Sequence, residues 1–107
     1  MENWIKACAV DDLEDSCLTE LRINGNNVLF LRHEGEVHAV PALCPHMDEP
    51  LVNGLCDGFN LTCLKHLWQW DIRTGEVKEN GELPLKIIPL KIVDGQVYME
   101  QKVIKNP

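Results

Sequence analysis

The sequence contains no apolar run approaching the ~20 residues of a membrane-spanning helix, so no membrane association is expected. Basic residues are scarce: ten Lys and Arg stand against seventeen Asp and Glu, a formal charge of −7. A nucleic-acid binder needs a basic face to displace counterions from phosphate, and this balance excludes that class. The acidity is compatible with steering toward basic patches on other proteins. Residues Met1 to Asp12 lack both a basic start and an apolar core, so no export signal is expected and the cytoplasm is the expected compartment. Cysteine occurs in an odd number: Cys8, Cys17, Cys44, Cys56 and Cys63. In a reducing compartment this is not a disulfide scaffold, and a Cys8–Cys17 bridge is disfavoured; closely spaced Cys and His there more often bind metal.

Helical periodicity is also nearly absent. One short acidic segment, Asp11–Cys17, is the only helix-like candidate. The rest reads as short strands between turn signals: Leu18–Ile23 and Val28–Arg32 around Asn24-Gly25-Asn26-Asn27, then Val37–Val40, Phe59–Cys63 and His66–Asp71. A final pair, Ile87–Val93 and Gln96–Glu100, is joined by Asp94-Gly95. This spacing predicts a small all-β sandwich or barrel. The 107 residues suit one domain, expected as a single monomeric unit. Within it, a segment from about 43 to 70 departs from simple alternation, as an excursion from a β framework made by 1–42 and 71–107.

That excursion holds the chemistry. Cys44-Pro45-His46 is followed, after sixteen residues, by Cys63-Leu64-Lys65-His66. Each arm offers one thiolate and one imidazole, donors that suit either iron or zinc. Structural zinc sites usually pair like ligands within an arm, Cys with Cys and His with His. The repeated mixed order here suits a two-iron cluster, with both cysteines on one iron and both histidines on the other. A zinc-stabilised interaction module is the alternative of a different class.

On these residues the chain resembles the Rieske family, whose pattern is Cys-x-His followed by Cys-x-x-His. The resemblance extends to Asp57-Gly58 before the second arm, Arg73-Thr74-Gly75 after it, and the closing hairpin with Asp94-Gly95-Gln96-Val97-Tyr98. It implies an antiparallel β-sandwich with a small cluster-binding subdomain, and one [2Fe–2S] cluster held by Cys44, His46, Cys63 and His66. It also implies that the histidines ligate the outer iron and that electrons pass at the His46/His66 tip. With two ferric ions, two sulfides and two thiolates the oxidised core is neutral, and reduction leaves one negative charge. Replacing two thiolates by imidazoles therefore raises the potential above that of an all-thiolate cluster.

Respiratory Rieske proteins add a cysteine to each loop and a Gly-Ser-x-Tyr run after the last histidine. Here Glu49 and Lys65 replace those cysteines, and Leu67-Trp68-Gln69-Trp70 offers no hydroxyl to the cluster sulfurs. Fewer donors leave the reduced charge less stabilised, so a potential on the order of −150 mV is expected. Cys-Pro-His with a later His-Leu-Trp resembles most the ferredoxins of toluene monooxygenase-type systems. The resemblance thus implies a cytoplasmic carrier of single electrons from an NADH-dependent flavoprotein reductase to an iron-containing terminal oxygenase, in oxidation of aromatic or other hydrocarbons. It implies no catalysis by the chain itself. A dioxygenase ferredoxin and a Rieske small subunit of assimilatory nitrite reductase are the runners-up.

The remaining candidates take plainer readings. Cys8, Cys17 and Cys56 read as packed or half-exposed thiols, and His33 and His38 as surface or packing residues. Trp70 is expected beneath the cluster loops and Trp68 nearer a docking surface, with packing favoured for both. Asp48, Glu49 and Lys65 are candidates for partner docking. Pro84 reads equally as part of a loop shielding the cluster or as a turn proline.

Overall fold

The computed structural model describes residues 4–44, 50–65, 67–78 and 83–100. Among these, nine strands form three antiparallel sheets: β1 (Trp4–Ala9), β2 (Cys17–Ile23), β3 (Asn26–His33), β4 (Glu36–Pro41), β5 (Leu55–Asp57), β6 (Asn60–Thr62), β7 (Gln69–Asp71), β8 (Leu90–Val93) and β9 (Gln96–Glu100). The sheets run β1-β9-β8, β2-β3-β4 and β5-β6-β7. The expected all-β class is therefore met.

Turn chemistry explains most of the pairing. Asn24-Gly25, Glu34-Gly35 and Asp94-Gly95 each place two successive residues at positive φ. Two-residue hairpins need that conformation to match strand twist, and the pairs Ile23↔Asn26, His33↔Glu36 and Val93↔Gln96 close directly over them. Gly58, also at positive φ, opens the Asp57↔Asn60 hairpin.

The middle sheet is buried on both faces. Along β3, alternation sends Val28 and Phe30 into one apolar cluster with Val97, Met99 and Ile88. Leu29 and Leu31 enter another, with Leu61, Trp70 and Ile72. The chain is thus layered: the β1-β9-β8 sheet lies on one side of β2-β3-β4, and the small β5-β6-β7 sheet on the other. Each fully buried large apolar side chain favours this stacking by roughly 1.5–3 kcal/mol.

Four expectations need correction. Asp11–Cys17 is not a helix. Only a 3-10 turn forms, at Val10–Asp12. The Arg32 guanidinium takes the carbonyls of Val10 and Leu13 that a helix would use, at 3.2 and 3.0 Å. Asp15 then bridges to Arg32, and Cys17 already belongs to β2. Strand β8 begins at Leu90 rather than Ile87, because Pro89 has no N–H for a ladder and Ile88 donates instead to the Ala39 carbonyl at 2.9 Å. The strand expected from His66 begins at Gln69, since Leu67 sits at φ 60° and interrupts extended backbone. The strand expected over Phe59–Cys63 is confined to Asn60–Thr62.

Phe30 is fully buried, whereas Ile92 on edge strand β8 is about half exposed. Phe30→Ala is expected to lower the free energy of unfolding by about 3–5 kcal/mol, and Ile92→Ala by no more than about 0.5 kcal/mol. Urea or guanidinium denaturation followed by circular dichroism measures both.

Candidate cluster site

Two loops of the small layer carry the predicted ligands. The first leaves β4 and is pinched at its base: Leu43 bridges Pro50, and the Leu51 N–H donates to the Ala42 carbonyl at 2.8 Å. Cys44 stands at the root of this loop. The second leaves central strand β6 and returns as β7. It is closed by the Cys63 N–H donating to the Trp68 carbonyl at 2.8 Å, beside the Thr62↔Gln69 pair. Cys63 therefore also stands at a loop root.

The fold draws both cysteines into its core. Cys44 and Cys63 are only 3% and 2% exposed, and both belong to the apolar cluster that contains Leu51, Leu61, Trp68, Trp70 and Leu85. Two soft sulfur donors from separate loops, buried in one apolar cluster, fit the thiolate side of an iron–sulfur cluster. His46 and His66 lie outside the described residues, as do Asp48 and Glu49. Lys65 is exposed within the second loop.

Trp70 lies under these loops. It is fully buried, and its indole N–H donates to the Leu83 carbonyl at 2.8 Å. Trp68 packs near it, ring centroids 6.2 Å apart, and is buried as well, which favours packing over an exposed docking role. Trp68 precedes β7 and Trp70 is its central residue. Pro84 is exposed between two anchors: Leu83, held by Trp70, and Leu85, whose N–H donates to the Gly75 carbonyl at 2.9 Å. Gly75 permits this approach, since a Cβ there would lie 2.1 Å from the Leu85 carbonyl oxygen.

The opposite end of the small sheet is fastened to the framework around Phe59. The rings of His33 and His38 meet Phe59 edge-on at 4.9 and 5.6 Å, and the Arg73 guanidinium carbon lies 4.6 Å from its centroid. His33 Nδ1 shares a hydrogen bond with Ser16 Oγ at 2.8 Å, and His38 Nε2 lies 2.9 Å from Glu36. Arg73 is itself held by Asp71, through Nε at 3.1 Å and a terminal nitrogen at 3.0 Å.

Among the other cysteines, Cys56 donates to the Gly58 carbonyl at 3.3 Å. Burial, and secondarily Asp12, push the half-buried Cys8 thiol above its ordinary pKa, which disfavours its thiolate. The side chain of Cys17, and with it the Cys8–Cys17 question, lies outside what is described.

One feature escaped the sequence reading. Leu43, Leu64 and Leu67, each about half exposed, adjoin the ligand positions. Their signal was available, as leucines in loop segments where polar residues are usual.

The hydrogen bonds from Arg73 hold the Asp71 carboxyl below its ordinary pKa. A lowered carboxylate pKa stabilises the fold above the unfolded value of about 3.9, and that contribution is lost as pH falls through the folded value. Asp71→Asn is therefore expected to lower the thermal midpoint at pH 7 by a small amount, since the Arg73 side of the pair is about half exposed and screened by water. The difference from the parent should shrink as pH is lowered below about 3.9. Thermal melts across pH measure this.

A model of the Rieske [2Fe–2S] domain family matches residues 3–89. The ferredoxin component of the alkene monooxygenase system of Xanthobacter autotrophicus is 35% identical over 97 residues, covering 90% of this chain and 80% of that protein. The ferredoxin subunit of methanesulfonate monooxygenase from Methylosulfonomonas methylovora is 34% identical over 89% of this chain and 78% of its own length. Among solved structures, a ferredoxin of Sphingomonas yanoikuyae superposes with a TM-score of 0.82 at 29% identity, over 92% of this chain and 99% of that one.

Proposed function

The chain belongs to the Rieske [2Fe–2S] domain family and is an electron-transfer ferredoxin of the oxygenase-system type rather than a catalyst; we propose that it holds its cluster through Cys44, His46, Cys63 and His66 and passes single electrons from an NADH-dependent flavoprotein reductase to an iron-containing terminal oxygenase. The segment from about 43 to 70 is, on this reading, the cluster-binding subdomain. The observation that carries it is the burial of Cys44 and Cys63 in one apolar cluster, at the roots of two closed loops that each hold one of the two histidines.

Bound there, the cluster would accept and release one electron. The chain's own residues do the rest. Cys44 and Cys63 fix the cluster on its dry side, and Trp70 with Leu51, Leu61 and Leu85 excludes water from the thiolates. Exclusion of water, together with the absence of hydroxyl donors in Leu67-Trp68-Gln69-Trp70, disfavours the extra negative charge of the reduced form. Electrons would leave at His46 and His66. Leu43, Leu64 and Leu67 then give a partner apolar contact beside the exit, with Lys65 adding a charge. The names of the two relatives support a monooxygenase of hydrocarbons or other small organic compounds as the electron acceptor, and the cytoplasm, a reducing compartment, suits thiolate ligation.

Freshly purified protein is expected to be coloured, to contain two irons and two sulfides per chain, and to give an electron paramagnetic resonance signal on reduction. A colourless, zinc-containing protein overturns the proposal in favour of an interaction module. Cys63→Ser should lose the cluster. The potential should lie on the order of −150 mV and fall at high pH, because losing imidazole protons makes the cluster more negative and harder to reduce; a value above zero contradicts the reading of the missing donors. Leu64→Asp and Leu67→Asp should slow reduction of the partner oxygenase in stopped-flow experiments while leaving the optical spectrum unchanged.

A further inference from the structure

Gly54 follows the first loop, and its backbone is unremarkable: φ is −81° and ψ −171°, a conformation any residue adopts. What it lacks is room. A Cβ at Gly54 would lie 2.3 Å from the Thr62 carbonyl oxygen, 3.3 Å from its carbonyl carbon and 3.0 Å from the Leu51 carbonyl oxygen. Both neighbours are backbone, which cannot swing aside as a flexible side chain would.

The two contacts belong to the two ligand loops. Leu51 closes the first, through its N–H to the Ala42 carbonyl. The Thr62 carbonyl lies in the same rigid peptide unit as the Cys63 N–H, which closes the second through the Trp68 carbonyl at 2.8 Å. Displacing the Thr62 oxygen must tilt that unit and carry Cys63 with it. Thr62 cannot retreat, because β6 is the central strand and Thr62 is paired with Leu55 on one side and Gln69 on the other. Gly54 is also tied to the first loop by its own N–H, which donates to the Leu51 carbonyl at 2.9 Å.

We propose that Gly54 is a positioning residue that sets the spacing between the two ligand loops: its missing side chain lets the chain leaving Cys44 press directly on the peptide that carries Cys63. The assignment rests on Cys44 and Cys63 being cluster ligands. It differs from the role of the turn glycines: Gly25 at φ +84° has nothing within 4 Å of its Cβ position and serves only its hairpin.

The test compares the holoprotein with Gly54→Ala, with a variant carrying one extra glycine inserted between Asn53 and Gly54, and with Gly25→Ala. The readouts are circular dichroism for the fold, iron and sulfide content, the g-values of the reduced cluster and its potential. Gly54→Ala is expected to retain the β-sheet signal, to lose about tenfold in cluster retention, the order seen when groups supporting metal ligands are altered, and to show displaced g-values and potential in the fraction that keeps its cluster. The glycine insertion adds no side chain and relaxes the same contact. It should displace the g-values and potential too, and it decides the matter should Gly54→Ala not accumulate. Gly25→Ala should lower the thermal midpoint and leave g-values and potential where they were. Unchanged g-values and potential in a folded Gly54→Ala or insertion variant overturn the assignment, as do equal displacements in Gly25→Ala. A parent protein without iron and sulfide would instead overturn the ligand assignment beneath it.

Discussion

Two thiols from loops nineteen positions apart in sequence share one dry apolar cluster, and most of the remaining architecture bears on how that is achieved. A thiolate pair in a low-dielectric setting is costly without a positive partner, since burial disfavours the charged form of each. In the proposed assignment iron supplies that partner, and the protein's task is to deliver both sulfurs to it with little freedom. Each loop is therefore closed at its root by a backbone hydrogen bond of 2.8 Å, so that loop entropy is largely removed before any metal arrives. Trp70 fills the space beneath, anchored by its indole N–H to the segment around Pro84.

The layered framework gives these loops a base. A middle sheet buried on both faces ties the terminal strands to the small sheet through alternate residues of a single strand, β3. At the end away from the cysteines, Phe59 is gripped by His33, His38 and Arg73, so the small sheet is attached at both its ends. Such a mounting suits an electron carrier. Charge transfer changes the cluster by one unit and needs a setting that rearranges little, whereas a catalyst would need an open position for substrate.

Local turn chemistry made much of this legible from sequence. Asn24-Gly25 and Asp94-Gly95 announced two hairpins because φ > 0 at two successive residues is a strong and local demand. The cysteine and histidine spacing likewise announced the two loops. What escaped depends on contacts distant in sequence. Strand β1 pairs with β9 across the whole chain, carries a bulge between Lys6 and Cys8 and shows little alternation. Strand β5 has three residues and exists because β6 lies beside it. The acidic run from Asp11 has a helical look, but Arg32 takes the Leu13 carbonyl within it and the Val10 carbonyl just before it. Gly54 resembled an ordinary loop glycine, since only the folded chain shows that Thr62 occupies the space where its side chain would be.

The central claim is that one cluster is held by two sulfurs and two imidazoles of this chain. Pulsed electron paramagnetic resonance of the reduced protein, prepared with ¹⁵N-labelled histidine, tests it most directly. Two strongly coupled ¹⁵N nuclei are predicted, both retained in His33→Gln/His38→Gln protein and one lost in each of His46→Cys and His66→Cys. Absence of any strongly coupled histidine nitrogen, or couplings that survive both ligand substitutions, would contradict the account.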